Sequence, residues 1–134
     1  MEEKHPYRIL IADDDGITRH LLRLLLKQYD HEVVGEAEDG ETTLTQCAKL
    51  IPDVVFLDIN MPNIDGIEVL KKIRLNHPQI TVVMVSVSST PDHVHTAMSL
   101  GAHDFIVKPF NSASVINTLN SIKRIAQDSS KDES

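Results

Sequence analysis

Four places along the chain carry side chains that together could capture a phosphoryl group: Asp13-Asp14-Asp15, Asp58 within Leu57-Asp58-Ile59-Asn60-Met61-Pro62, Ser86, and Lys108 followed by Pro109. If Asp13, Asp14 and Asp58 meet in one pocket, their mutual repulsion raises their pKa values or strains the fold unless a cation joins them. Three carboxylates are balanced by one Mg²⁺ and the Lys108 ammonium, and hard oxygen ligands favour magnesium over zinc. Beside those cations the Asp58 carboxylate is a nucleophile for phosphorus, because both screen the charge on the equatorial oxygens, and the product is an acyl phosphate. Ser86 offers a hydroxyl that can hydrogen-bond a phosphoryl oxygen and report its presence. Alone, Ser86 reads equally as an ordinary strand-end hydroxyl and Lys108 as a solvated charge; only their joint placement argues for a site.

That placement depends on strands. Val54-Val55-Phe56-Leu57 is apolar enough for a strand buried on both faces, and it ends at Asp58. Arg8 to Ala12 ends at Asp13, Thr81 to Val85 at Ser86, and Phe105 to Val107 at Lys108, with His31 to Glu38 a more polar, edge-like strand. Helical patterns separate them. The first helix carries Ile17, Leu21, Leu22, Leu24 and Leu25 as its apolar stripe. The second, capped by Asp39 and closed by Pro52, turns Leu44, Cys47, Ala48 and Ile51 inward. The third opens at Asp65-Gly66 with Ile67, Val69, Leu70 and Ile73, and Pro78 lies past its end. Thr90-Pro91 starts a fourth that ends at Gly101. Asn111 or Ser112 caps a fifth with Val115, Ile116, Leu119, Ile122 and Ile125. Strict alternation of strand and helix predicts an α/β fold with a parallel sheet covered by helices on both faces, and right-handed crossovers bring the strand tips to one edge, where ligands collect.

The 134 residues suit one domain, expected over 1–127 with a polar, frayed tail over 128–134. A formal net charge of −7, from 20 acidic and 13 basic residues, gives no footprint for nucleic acid or an anionic membrane surface. No apolar run approaches the ~20 residues needed to cross a bilayer, and no secretory h-region is present. A soluble, cytoplasmic protein is expected. The single Cys47 excludes an internal disulfide and reads as packing. Asp15 is expected to cap the first helix rather than ligate metal, and His93, His95 and His103 to be surface residues.

Asp13-Asp14, the run Asp58 to Gly66, Ser86, and Lys108-Pro109-Phe110 resemble the receiver domain of two-component response regulators, over nearly the whole chain from Arg8 to Ala126. Single-domain chemotaxis receivers are the nearest likeness. The resemblance implies a flavodoxin-like five-stranded parallel sheet in the order 2-1-3-4-5. It implies Asp58 as phosphoacceptor, Asp13 and Asp14 as Mg²⁺ ligands directly or through water, and the Asn60 carbonyl as a further ligand. Lys108 would contact the phosphoryl group, Ser86 would be the switch hydroxyl, and Phe105 the aromatic that moves inward with it, altering the surface of the fourth helix, fifth strand and fifth helix. Lacking a hydroxyl, Phe105 would act by packing. Val87 departs from the smaller residue usual beside the switch position and is expected to slow phosphodonor access. Ser88 and the Asn60 side chain sit where this family controls access of water to the phosphoaspartate.

Implied partners are a histidine kinase or phosphotransfer protein upstream and an effector protein downstream, with no direct contact to nucleic acid and no membrane insertion. The chain would be a switch rather than an enzyme, catalysing only its own phosphorylation and dephosphorylation. It would act as a diffusible messenger or as the receiver part of a longer regulator. Three other functions compete. A flavin-mononucleotide carrier shares the layered fold, but Asp13-Asp14-Asp15 would repel its phosphate. An aspartate-nucleophile phosphatase needs a carboxylate where Asn60 stands. A receiver-like scaffold that is never phosphorylated would have no use for the full set of Asp, Ser and Lys.

Overall fold

The computed structural model describes residues 6–133 in backbone and 6–122 in side chains; the side chain of Ile125 and those of the polar tail lie outside the described residues. Strands and helices alternate as β1 (Arg8–Ala12), α1 (Gly16–Gln28), β2 (Glu32–Ala37), α2 (Gly40–Leu50), β3 (Val54–Leu57), α3 (Gly66–Asn76), β4 (Thr81–Ser86), α4 (Pro91–Ser99), β5 (Asp104–Val107) and α5 (Ser112–Glu133). All neighbouring strands pair in parallel, and the order is β2-β1-β3-β4-β5, as the resemblance implied.

Successive strand residues point to opposite faces, so one apolar run feeds two cores. Leu10, Ala12, Val55, Leu57, Val82 and Met84 pack with Cys47, Val69, Leu70, Ile73 and Ala97 of α2, α3 and α4. Ile9, Ile11, Val54, Phe56, Val83 and Val85 pack with Leu22 and Leu26 of α1 and Val115, Leu119 and Ile122 of α5. Each Val, Leu, Ile, Phe or Met among them contributes roughly 1.5–3 kcal/mol by leaving water, which fixes the strand register and therefore the level of every tip. β2 is an edge strand, buried only at Ala37.

Capping follows the sequence. Asp15 accepts from Ile17 N, Asp39 from Thr42 N, Asp65 from Glu68 N and Thr90 from His93 N, with Pro91 in the first turn of α4. For α5, Asn111 rather than Ser112 supplies the cap, its Oδ1 accepting from Ser114 N at 2.9 Å. Two expectations need correction. On α1, Leu22 and Leu26 are buried and Leu25 is half-buried, whereas Ile17 (72% exposed), Leu21 and Leu24 face solvent, because the sheet meets the stripe through Thr18, Leu22 and Leu26. On α2, Ala48 is exposed, and Ile51 is a left-handed C-cap with φ of 44° that turns outward. The fourth helix ends at Ser99, and Gly101, with φ of +104°, takes the chain into β5.

Candidate functional site

Main-chain bonds carry the parallel ladder one residue beyond the strands. Asp13 N donates to Ala37 O at 2.9 Å, Asp58 N to Ala12 O at 2.9 Å, and Lys108 N to Ser86 O at 3.0 Å. The tips of β1, β3, β4 and β5 therefore lie at one edge with their side chains held on rigid backbone.

There Lys108 Nζ stands 2.7 Å from Asp13 Oδ2 and 3.5 Å from Asp58 Oδ2. Asp13 and Asp58 are buried and Asp14 is exposed. One carboxylate oxygen from each of Asp13, Asp14 and Asp58 lies within 4.8 Å of the others. The second Asp13 oxygen accepts from Asp15 N at 2.9 Å, and Asp58 Oδ1 from Asn60 N at 3.3 Å. Burial pushes the Asp13 carboxyl above the ordinary carboxylate range against the bonds from Lys108 and Asp15 N–H, with Asp58 adding repulsion. Burial works against the Lys108 charge, but the bond to Asp13 and the fields of Asp13 and Asp58 outweigh it and raise its pKa. The two directions have different main causes: burial for Asp13, and the bond and fields of the neighbouring carboxylates for Lys108. The 2.7 Å separation favours the ionised pair, and one lysine leaves the cluster short of positive charge.

That shortage is the test for a cation. Three converging carboxylates with one open to solvent suit a hard divalent ion, and Mg²⁺, which keeps several waters, fits an oxygen-only set with an exposed member. Cys47 offers no soft ligand, since it is fully buried in the core with its thiol pushed up to about 12 by burial.

Ser86 is fully buried at the next tip and its Oγ accepts from Ser88 N at 3.2 Å, while Asn60 Nδ2 donates to Ser88 Oγ at 3.0 Å. A bonded chain thus runs from Asn60 beside Asp58, across Ser88, to the hydroxyl. Phe105 is paired with Met84 and half-buried against the core under α2, α3 and α4. Val87 is 64% exposed beside buried Ser86. Asp15 caps α1 through Ile17 N and receives the Thr18 hydroxyl at 2.8 Å.

Sequence reasoning missed two supports. Gly66, expected to open the third helix, also donates to Ile59 O at 2.7 Å, and a Cβ there would run into the carbonyl oxygen of Asp58. A glycine eight residues past the acidic tip was the available signal. Arg19 donates to the Asp13 carbonyl oxygen at 2.6 Å and is held by Glu36. Nothing in local sequence marks that pair.

Residues 9–120 match the family described as response regulator receiver domain. Chemotaxis protein CheY of Bacillus subtilis is 39% identical over 114 residues, covering 85% of this chain and 95% of that protein. A protein-glutamate methylesterase/protein-glutamine glutaminase of Trichodesmium erythraeum is 39% identical over 121 residues, 88% of this chain but only 34% of its own length. Among solved structures, the CheX-CheY-BeF3-Mg complex of Borrelia burgdorferi matches with a TM-score of 0.85 at 31% identity, over 87% of this chain and 89% of that one. No helix among the described residues is long and apolar enough to cross a membrane.

Proposed function

Because the chain belongs to the response regulator receiver domain family, we propose that it accepts a phosphoryl group on Asp58 from a histidine kinase or phosphotransfer protein and answers by changing a surface that an effector protein reads. The observation that carries this is the lysine between two buried carboxylates: Lys108 Nζ reaches Asp13 at 2.7 Å and Asp58 at 3.5 Å. A lysine so placed cancels charge where a phosphoryl group would sit, and Asp13 holds it there.

In the transfer an Asp58 carboxylate oxygen attacks phosphorus, the N–P bond of the donor phosphohistidine breaks, and its electron pair stays on the imidazole nitrogen. Asp58 is positioned by its own N–H bond to Ala12 O and by Asn60 N at its Oδ1. Lys108, with 13% of its side chain exposed, neutralises the phosphoryl oxygens. Asp13, Asp14, Asp58 and the Asn60 carbonyl would hold Mg²⁺, which supplies further positive charge to those oxygens. Once the phosphoryl group is present, the Ser86 hydroxyl, whose oxygen accepts from Ser88 N–H, donates its proton to it. Phe105 then packs inward and alters the surface of α4, β5 and α5.

Incubation with Mg²⁺ and acetyl phosphate, read by intact mass, tests this. One phosphoryl group is expected on the wild type, none after chelation of the metal, and none on Asp58→Asn, whose circular dichroism should match the wild type. Full labelling of Asp58→Asn would overturn the assignment. A wild type that stays unlabelled by acetyl phosphate and by phosphohistidine donors would leave a scaffold that works by binding alone.

A further inference from the structure

We propose that Arg19, clamped by Glu36, is a positioning residue for the metal site, an inference that rests on Asp13 being a Mg²⁺ ligand. Arg19 Nη1 donates to the Asp13 carbonyl oxygen at 2.6 Å, and its Nε donates to Glu36 Oε1 at 3.1 Å. The other Glu36 oxygen is 2.9 Å from Arg23 Nη1. Glu36 stands on β2, opposite Ile11 of β1, so the guanidinium is fixed by the neighbouring strand as well as by its own helix. Its side chain is 19% exposed and that of Glu36 25%, so both charges are partly withdrawn from water, where a planar fork loses little freedom on binding. The consequence falls on Asp13. Its N–H is held by Ala37 O, its carbonyl by Arg19, and its carboxylate by Asp15 N–H and Lys108. Three of these restraints belong to the strand ladder, the turn or the site itself. Among the described residues, Arg19 ties the Asp13 peptide to the body of α1. An ordinary surface ion pair would end on another side chain; this one ends on the main chain of a residue whose carboxylate belongs to the acidic cluster.

Removing the guanidinium leaves the carbonyl of a buried residue without its charged donor and frees the turn that aims the carboxylate. Partners that orient a ligand in this way are typically worth about tenfold or more in metal affinity. The test is calorimetric titration with Mg²⁺ of the wild type, Arg19→Ala, Arg19→Lys and Glu36→Gln, with acetyl phosphate labelling measured across the same Mg²⁺ range. Arg19→Ala should need about tenfold more Mg²⁺ for half-saturation in both measurements. Its labelling rate at saturating Mg²⁺ should fall by less than its Mg²⁺ affinity. Arg19→Lys keeps the charge but not the fork, and Glu36→Gln keeps an acceptor but not its charge, so both should fall between the two. A folded Arg19→Ala with wild-type Mg²⁺ affinity would overturn the proposal, as would a saturating rate that falls as far as the affinity, the mark of general damage. If Arg19→Ala does not fold, the intermediate shifts of the other two variants decide the matter in the same way. Wild-type protein that binds Mg²⁺ but takes no phosphoryl group would contradict the proposed function and leave the calorimetric comparison standing. Wild-type protein that binds no Mg²⁺ would overturn both.

Discussion

Val87 stands 64% exposed beside the fully buried Ser86. Its branched side chain is expected to slow the approach of a phosphodonor. Val87→Ala should therefore label faster with acetyl phosphate while stability moves by less than about 0.5 kcal/mol, as for surface positions generally. An unchanged rate would remove Val87 from any part in access. Residues of this kind were legible because the signal is local: an apolar run names a strand, and the polar residue that ends it names a tip. Asp13, Asp58, Ser86 and Lys108 were found that way. Arg19 and Glu36 were not, because their pairing exists only once β2 lies beside β1, and neither segment announces the other. The aromatic role expected of Phe105 depends on a rotation, which sequence does not encode.

At the level of elements, α1 shows where periodicity runs out. Its 13 residues hold Ile17, Leu21, Leu22, Leu24, Leu25 and Leu26, enough for two overlapping stripes of the same period. The sheet takes the one through Thr18, Leu22 and Leu26 and leaves Ile17, Leu21 and Leu24 outside, a choice set by tertiary packing. Caps were more legible, since their chemistry is local. Asp39 accepts from Thr42 N at 2.7 Å, and that bond holds its carboxyl below the ordinary carboxylate range. A depressed folded pKa stabilises above the unfolded value, and the contribution is lost as pH falls through the folded one. Asn caps without titrating, so the difference in Tm between wild type and Asp39→Asn should be constant near neutrality and drift in favour of the variant below pH about 4. A difference that stays flat into acid would show that the charge of this cap carries no stability. At the start of α3, Gly66 lets the helix approach the Asp58 carbonyl closer than any side chain allows. Gly66→Ala must push the helix or the phosphoacceptor loop aside, at about 1–3 kcal/mol in denaturant unfolding, with slower labelling. Wild-type stability and rate in that variant would mean that the loop moves freely.

For the whole molecule, helix count and parallel sheet follow from alternation, but strand order does not. Nothing in the composition of β2 says that it lies outside β1 rather than beside β3; its polar character says only that it is an edge. That order assembles the site, because β1 and β3 must be neighbours for Asp13 and Asp58 to meet, and β4 must stand between β3 and β5 for Lys108 to reach both across Ser86. The acidic cluster is thus a property of the assembled sheet and has no counterpart in the unfolded chain, so free energy of metal binding becomes free energy of folding. Mg²⁺ at a hundred times its dissociation constant should stabilise the protein by about 2.7 kcal/mol and raise Tm by several degrees, reversibly on chelation. Sodium chloride of equal ionic strength relieves the general repulsion of a chain with net charge −7 but cannot fill the cluster, so its effect should be smaller. Asp13→Asn, which removes one of the converging carboxylates, should lose most of the magnesium-specific rise and keep the salt response. If Mg²⁺ and matched sodium chloride shift Tm equally in wild type and variant, the carboxylates form no cation site and Lys108 alone balances them.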